Sequence, residues 1–566
     1  MKFTFSAFRI LMLLAAVFFL FSFATTAQTT RYDDERNASG FSGRKLEIPR
    51  QFAATKPSIF SMTATGTPQA PRPSAASCAN MLSLNIPDTE VTSAQMIPAD
   101  PGNGLPEYCD VLGFTQQTIG FDVRMPTIWN GKMYFAGNFV FAGRIPRGQT
   151  KKGLTRNYAT VSTDTGHQDA DILDASWALN NRQSEIDFGF RAVHETTLLG
   201  KIIISTYYGG APKFSYFDGC STGGGQALRE AELFPEDYDG YIAGAPVLDF
   251  SGNFLALNWK MQAIHATPDS DLIPLQKLYV IGNAVLEKCD AIDGLTDGLI
   301  EDPRKCDFEP ATLLCKNGDG PNCLTKSETQ ALQLIYQGPR TSFGVQLYPG
   351  LVKGGETPDG TGNGNGWEAM INTPGSPSFE FIIQDQFFRY LAFRVDNPNY
   401  DWSTFNFDTD PKRLDFMGDI LNATSTNLSS FHKLGRKLLM YHGWSDATVS
   451  PLRTIEYYRE VRNRLGKPET RNSIRLFMAP GMYHCGAGPG PDTFDRITAL
   501  EQWVEQGVAP EEMEATHFDI NGNPDRTRPL CAYPKVAHYN GSGSIDEAAN
   551  FTCIVPLDDD TNDDKD

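Results

Sequence analysis

The chain has 566 residues, of which 40% are hydrophobic, 11% aromatic and 21% charged. That is a globular balance, and it excludes disordered, collagen-like and coiled-coil chains; the length implies two or more structural units. Its 49 basic and 68 acidic residues give a net charge of −19, and without a basic footprint to neutralise phosphates the chain suits neither nucleic acid nor anionic membrane surfaces.

Residues 1–27 have the layout of a secretory signal peptide. Lys2 and Arg9 flank a short n-region, Ile10 to Phe23 is apolar, and small residues lead to a cleavage point after Ala27. The apolar run is shorter than the ~20 residues of a spanning helix. A secreted or periplasmic protein is expected, with no membrane contact after cleavage. Residues 28–75 are polar and read as a loose arm. From there to residue 248, apolar runs alternate with helical patterns. Lys132 to Gly137 and Phe214 to Gly219 read as strands. Ile186 to Tyr207 reads as an amphipathic helix with Phe190, Val193, Leu198 and Ile202 among its apolar positions, and Gly225 to Phe234 as a helix stopped by Pro235. This alternation predicts a largely parallel sheet with right-handed crossovers.

Residues 249–430 break the pattern with four cysteines, a Gly-rich stretch and dense aromatics, and read as a large insertion with small cores of its own. The sheet pattern resumes in 431–555. Lys437 to His442 and Ser473 to Met478 read as buried strands, and Thr454 to Arg464 and Thr498 to Gln506 as helices. Residues 556–566 are an acidic tail of disordered composition.

Ten cysteines in an exported chain suggest five disulfides. Pairing near neighbours gives Cys78 with Cys109, Cys289 with Cys306, Cys315 with Cys323 and Cys531 with Cys553. Cys220 and Cys485 are left over.

Gly219-Cys-Ser-Thr-Gly223 lies between a predicted strand and a predicted helix. Such a turn holds the hydroxyl of Ser221 clear of the backbone, ahead of a helix N-terminus able to stabilise an oxyanion. The acid and base should follow in the order Asp, then His. Asp446 stands in the loop after the Lys437 strand, and His484 in the loop after the next one. His484 would take the Ser221 proton, and Asp446 would fix the imidazole tautomer. Both leftover cysteines adjoin these candidates. A Cys220–Cys485 bridge, with Cα atoms ~5.5 Å apart, would make Ser221 and His484 neighbours. His167 and His442 are assigned structural roles, the latter in shaping the Asp446 loop.

These residues resemble the tannase and feruloyl esterase family. The resemblance lies in Gly219-Cys-Ser-Thr-Gly-Gly224, His442-Gly-Trp-Ser-Asp446 and Gly481-Met-Tyr-His-Cys485. Trp129-Asn-Gly131, Thr163-Asp-Thr-Gly-His167 and Phe234-Pro-Glu-Asp-Tyr-Asp-Gly240 extend it from about Cys78 to Cys553. It implies an α/β-hydrolase core (76–248 and 431–555) with a large inserted lid domain (249–430), hydrolysing small esters of aromatic acids: galloyl, hydroxycinnamoyl or terephthaloyl.

One oxyanion donor would be the Thr222 N–H. In the family the loop supplying the second is Gly-rich, whereas here Gly137-Asn138 is followed by bulky Phe139 and Val140, which leaves the choice between Gly137 and Asn138. Asp290, Asp293 and Asp297 recur around Gly294 and Gly298, a spacing that by itself also suits a solvated turn. The resemblance implies a structural Ca²⁺ held there by these carboxylates and the carbonyls of Leu295 and Leu299. Trp367, Phe387, Phe388 and Trp402 are candidates for lining an aromatic pocket or for lid core. A peptidase or lactonase on the same fold, or a non-catalytic binding protein on that scaffold, are the competing readings.

Overall fold

The central strands are buried along nearly their whole length because helices cover both faces of the sheet. In the computed structural model, β1 (Thr89–Ile97), β2 (Tyr108–Thr115), β3 (Ile119–Pro126), β4 (Lys132–Ala136), β5 (Ala159–Thr163), β6 (Phe214–Cys220), β7 (Gly240–Gly244), β8 (Lys437–Gly443) and β9 (Ile474–Ala479) form one sheet. Its spatial order is β1-β2-β3-β5-β4-β6-β7-β8-β9. The first three strands and the β3–β5 contact are antiparallel, and every pair from β5 to β9 is parallel. This mixed sheet with helices is an α/β-hydrolase-type fold. The structure describes residues 75–267, 270–271, 273–358, 366–371 and 377–556. The expected signal peptide, all of the arm but residue 75, and all of the tail but residue 556 lie outside those residues.

The four strands read from the sequence are present to within a residue at each end. The helices begin earlier than the apolar pattern does. α2 (Thr222–Leu233) starts immediately after the nucleophile turn. Ser450 and Pro451 open the helix Pro451–Leu465, and the Asp495 carboxylate caps Arg496–Gln506 by accepting from the Thr498 N–H. The long helix preceding β6 differs more. A short turn of helix at Arg182–Ile186 passes through a π-helical turn at Asp187–Arg191 into α1 (Ala192–Tyr208). Its buried face is Val193, Leu199, Ile203 and Ile204, while Leu198 is half-buried and Ile202 exposed. Close packing selects that face. A Cβ on Gly200 would stand 2.8 Å from Val161, so α1 meets the sheet along its small residues and turns Ile202 outward.

Residues 249–430 lie between the adjacent strands β7 and β8. They form α3 (Phe250–Ile264), α4 (Leu275–Cys289), α5 (Lys326–Gln337) and α6 (Phe379–Tyr390). One apolar cluster, with Met261, Leu278, Ile281, Leu332 and Trp402, is internal to the insertion except for Ala447. A second joins it to the sheet: Phe141 stacks on Phe254 at 5.7 Å, and Phe254 on Phe387 at 4.4 Å. Trp367, Phe387, Phe388 and Trp402 are all buried in these clusters and are packing residues.

All ten cysteines are paired as neighbour pairing requires: Cys78–Cys109, Cys289–Cys306, Cys315–Cys323, Cys531–Cys553 and, across 265 positions, Cys220–Cys485.

Candidate active site

Three loops at the carboxyl ends of parallel strands meet here. The first is the turn from β6 into α2. Ser221 has φ 62° and ψ −125°, a region that costs a non-glycine residue energy. Its neighbours over-determine it. The Ser221 N–H donates to the Gly244 carbonyl at 3.0 Å, and its carbonyl accepts from Gly225 and Val247 at 3.0 and 3.1 Å. Only glycine fits at 219, where a Cβ would lie 2.3 Å from the Gly223 oxygen.

The loop after β4 packs against this turn. Thr222 Oγ1 donates to the Val140 carbonyl at 2.9 Å, and the Thr222 N–H stands at the head of α2. The two N–H groups expected as second donors already have acceptors. The Gly137 N–H is already given to the Asp218 carbonyl at 2.9 Å, and the Asn138 N–H to Gln226 Oε1 at 3.0 Å. Among the described residues, the N–H groups of Phe139 and Val140 donate to no protein acceptor.

Asp446, in the loop after β8, is 2% exposed. Its Oδ1 accepts from the Thr448 and Val449 N–H groups at 2.9 Å each. Its Oδ2 lies 2.7 Å from His484 Nδ1 and 3.0 Å from His442 Nε2. Burial alone would raise this carboxyl, but the charge of His484 and the bonds from both histidines outweigh it and hold the group well below the usual carboxylate range. Burial likewise works against the charge on His484, but Asp446 prevails and raises its pKa above the ordinary 6.5. The Cys220–Cys485 bridge, with Cα atoms 5.9 Å apart, ties Ser221 to His484. With one virtual bond on each side, the Ser221 and His484 Cα atoms lie within ~13.5 Å.

His442 contacts Asp446 directly, and its Nδ1 lies 2.8 Å from Thr454 Oγ1. His167 stacks on Trp177 at 3.8 Å, and burial pushes its pKa down to about 4. The sequence reading missed Lys260 and Glu380, buried against the Asp446 loop. The available signal was a lone charge in the apolar run of α3.

The loop of Asp290, Asp293 and Asp297 follows α4. Gly294 and Gly298 take φ of 95° and 81°, which curls the chain. Asp290 accepts from the Asp297 and Gly298 N–H groups, Asp293 from Leu295, and Asp297 from Leu299. Arg528 also takes Asp297 Oδ2 at 2.6 Å. Burial raises the Asp293 carboxyl, with Asp297 and Asp290 adding to the rise. These are hard carboxylate oxygens of the kind calcium takes, but among the described residues Asp290, Asp293 and Asp297 do not form a set with ligand atoms within 4.8 Å of one another. Elsewhere, ligand atoms of His194, Glu230 and Asp237 lie within 4.8 Å of one another; His194 Nδ1 lies 2.6 Å from Asp237 Oδ2, a hydrogen-bonded tie between α1 and the chain after α2.

The chain matches the family described as "Tannase and feruloyl esterase" over residues 106–554. It is 35% identical to an esterase of Xanthomonas campestris pv. campestris, covering 85% of this chain and 91% of the relative. It is 33% identical to the mono(2-hydroxyethyl) terephthalate hydrolase of Piscinibacter sakaiensis, covering 80% and 85%. Among solved structures, feruloyl esterase B of Aspergillus oryzae superposes with a TM-score of 0.75 at 26% identity, covering 85% of this chain and all of that one.

Because a base must be neutral to accept a proton, kcat/KM should fall on acidification through the raised pKa of His484. A profile measured from pH 5 to 9 should therefore show an acid limb with its midpoint above 6.5. Asp446→Asn should lower that midpoint, since the carboxylate that favours the imidazolium is gone.

Proposed function

The chain belongs to the tannase and feruloyl esterase family and is a carboxylic ester hydrolase of aromatic esters; from that premise we propose that it works through a Ser221–His484–Asp446 triad and an acyl-enzyme. The observation that carries the reading is the His484–Asp446 contact at 2.7 Å, tethered to the Ser221 turn by Cys220–Cys485. Ser221 Oγ attacks the ester carbonyl carbon as its proton passes to His484 Nε2. Asp446 accepts the Nδ1–H bond and stabilises the imidazolium. The tetrahedral oxyanion faces the Thr222 N–H, and Phe139 or Val140 supplies the second donor, because among the described residues their N–H groups have no protein acceptor where those of Gly137 and Asn138 do. His484 returns the proton to the leaving alcohol. It then takes one from water, whose attack on the acyl-enzyme releases the aromatic acid.

The substrates are small esters of hydroxycinnamic, gallic or terephthalic acids. The relatives named above support that range, and residues 249–430 are read as the lid domain over the site. Five disulfides support an oxidising compartment, hence a secreted or periplasmic enzyme. Among the described residues, no helix is long and apolar enough to cross a membrane.

A structural Ca²⁺ would be held by Asp290, Asp293 and Asp297 and by the carbonyls of Leu295 and Leu299. It would neutralise their repulsion and brace the chain between Cys289 and Cys306.

Ser221→Ala should leave the fold intact and reduce turnover of methyl ferulate, methyl gallate and mono(2-hydroxyethyl) terephthalate by ~10⁴-fold or more. A variant retaining a tenth of wild-type turnover would refute the assignment. Stripping the protein with EDTA should lower its melting temperature by ordinary ligand linkage, and added Ca²⁺ should restore it. Identical melting curves for protein shown by elemental analysis to be calcium-free and calcium-loaded would dismiss the ion.

A further inference from the structure

The insertion grips the candidate triad from behind as well as covering the sheet. Lys260 of α3 and Glu380 of α6 are 4% and 0% exposed. Lys260 Nζ lies 2.6 Å from Glu380 Oε2 and donates to the Ala447 carbonyl at 2.6 Å. Ala447 directly follows Asp446, whose Oδ1 depends on the N–H groups of Thr448 and Val449. The turn that presents those two N–H groups is the one Lys260 holds.

Other tethers from the insertion flank the same residues. Ser445 Oγ donates to the Gly354 carbonyl at 3.0 Å, and Ser450 Oγ to the Gly350 carbonyl at 2.7 Å. Tyr483 Oη donates to the Thr357 carbonyl at 2.8 Å, so the residue before His484 is held too. A Cβ on Gly355 would stand 2.7 Å from the Ser445 oxygen, which shows how closely the two chains run.

A lysine is an expensive way to fill a space on an apolar helix. An aliphatic side chain would do it without desolvating a charge, and the charge is tolerable only because Glu380 and the carbonyl meet it. What the ammonium adds is a fixed, short bond to one backbone atom of the acid loop. Resting on the triad proposed above, we infer that Lys260 and Glu380 are positioning residues: through Ala447 they fix the loop that carries Asp446, and their opposite charges offset each other beside His484. The ionisable groups that act on His484 are Asp446 from the loop after β8, Glu380 from α6 and Lys260 from α3, and Asp446 is met in turn by His442 of β8. A displacement of ~1 Å in such a constellation costs on the order of 10²-fold in rate.

The test uses the full-length enzyme and the variants Lys260→Met, Glu380→Gln and the double variant. Each is followed by circular dichroism, by kcat and KM on methyl ferulate across pH, and by the rate of fluorophosphonate labelling. Lys260→Met should lower kcat and the labelling rate on the order of 10²-fold, with KM within about threefold. Glu380→Gln should move the acid limb of kcat/KM to lower pH by about half a unit or more, because the carboxylate is gone and the ammonium stays. The double variant should return that limb towards wild type while kcat remains low. Folded single variants that keep kcat and labelling within threefold of wild type, with an unmoved acid limb, would overturn the inference. If Lys260→Met does not fold, Glu380→Gln decides by its limb alone. Failure of the triad is told apart by the wild type: it would then not label at Ser221 at all.

Discussion

The disulfide between Cys220 and Cys485 is the constraint on which the candidate site depends. The strands that carry Ser221 and His484, β6 and β9, are separated in the sheet by β7 and β8. At ~4.8 Å per strand their axes lie roughly 14 Å apart, yet the two cysteine Cα atoms are 5.9 Å apart. The loops must lean together across the ends of β7 and β8, and the bond keeps them there. The same two intervening strands complete the site. The end of β7 fixes the strained Ser221 turn through the Gly244 carbonyl, and the loop after β8 brings Asp446 to His484. Strand order and one covalent bond together turn three distant segments into a single constellation.

The insertion completes this arrangement. Its aromatic stack runs from Phe141, next to the candidate oxyanion loop, through Phe254 to Phe387. Its backbone and its buried Lys260–Glu380 pair hold the chain around Asp446. A segment inserted between two adjacent strands is well placed for this, since it leaves from the end of β7 and returns beside β8. The loop that carries Asp446 is thereby held by the insertion as well as by the sheet.

The parts of this design that were legible in the sequence are those with strong local chemistry. Buried parallel strands are long apolar runs, and a Gly-x-Ser-x-Gly turn between strand and helix has few other uses. Cysteines beside Ser221 and His484 signal a contact across the whole chain. What the sequence hid was relational. The choice of Leu199 and Gly200 over Leu198 and Ile202 on the buried face of α1 depends on how closely a glycine lets the helix approach Val161. Whether Gly137 or Asn138 could donate to an oxyanion depended on the Asp218 carbonyl and the Gln226 side chain, neither marked by any motif. The antiparallel strands β1 to β3 lacked a hydrolase signature, and the burial of Trp367 and Trp402 follows from packing within the insertion.

The central claim is that Ser221 is acylated while covalently linked to the loop that carries its base. Mixing the enzyme with methyl ferulate, quenching in acid within the first turnovers and digesting without reduction tests it directly. The account predicts one disulfide-linked peptide pair, containing Cys220 and Cys485, that carries a feruloyl adduct on Ser221 and loses it on longer incubation. Full turnover with Cys220 and Cys485 recovered as free thiols, or with the acyl group on another residue, would contradict it.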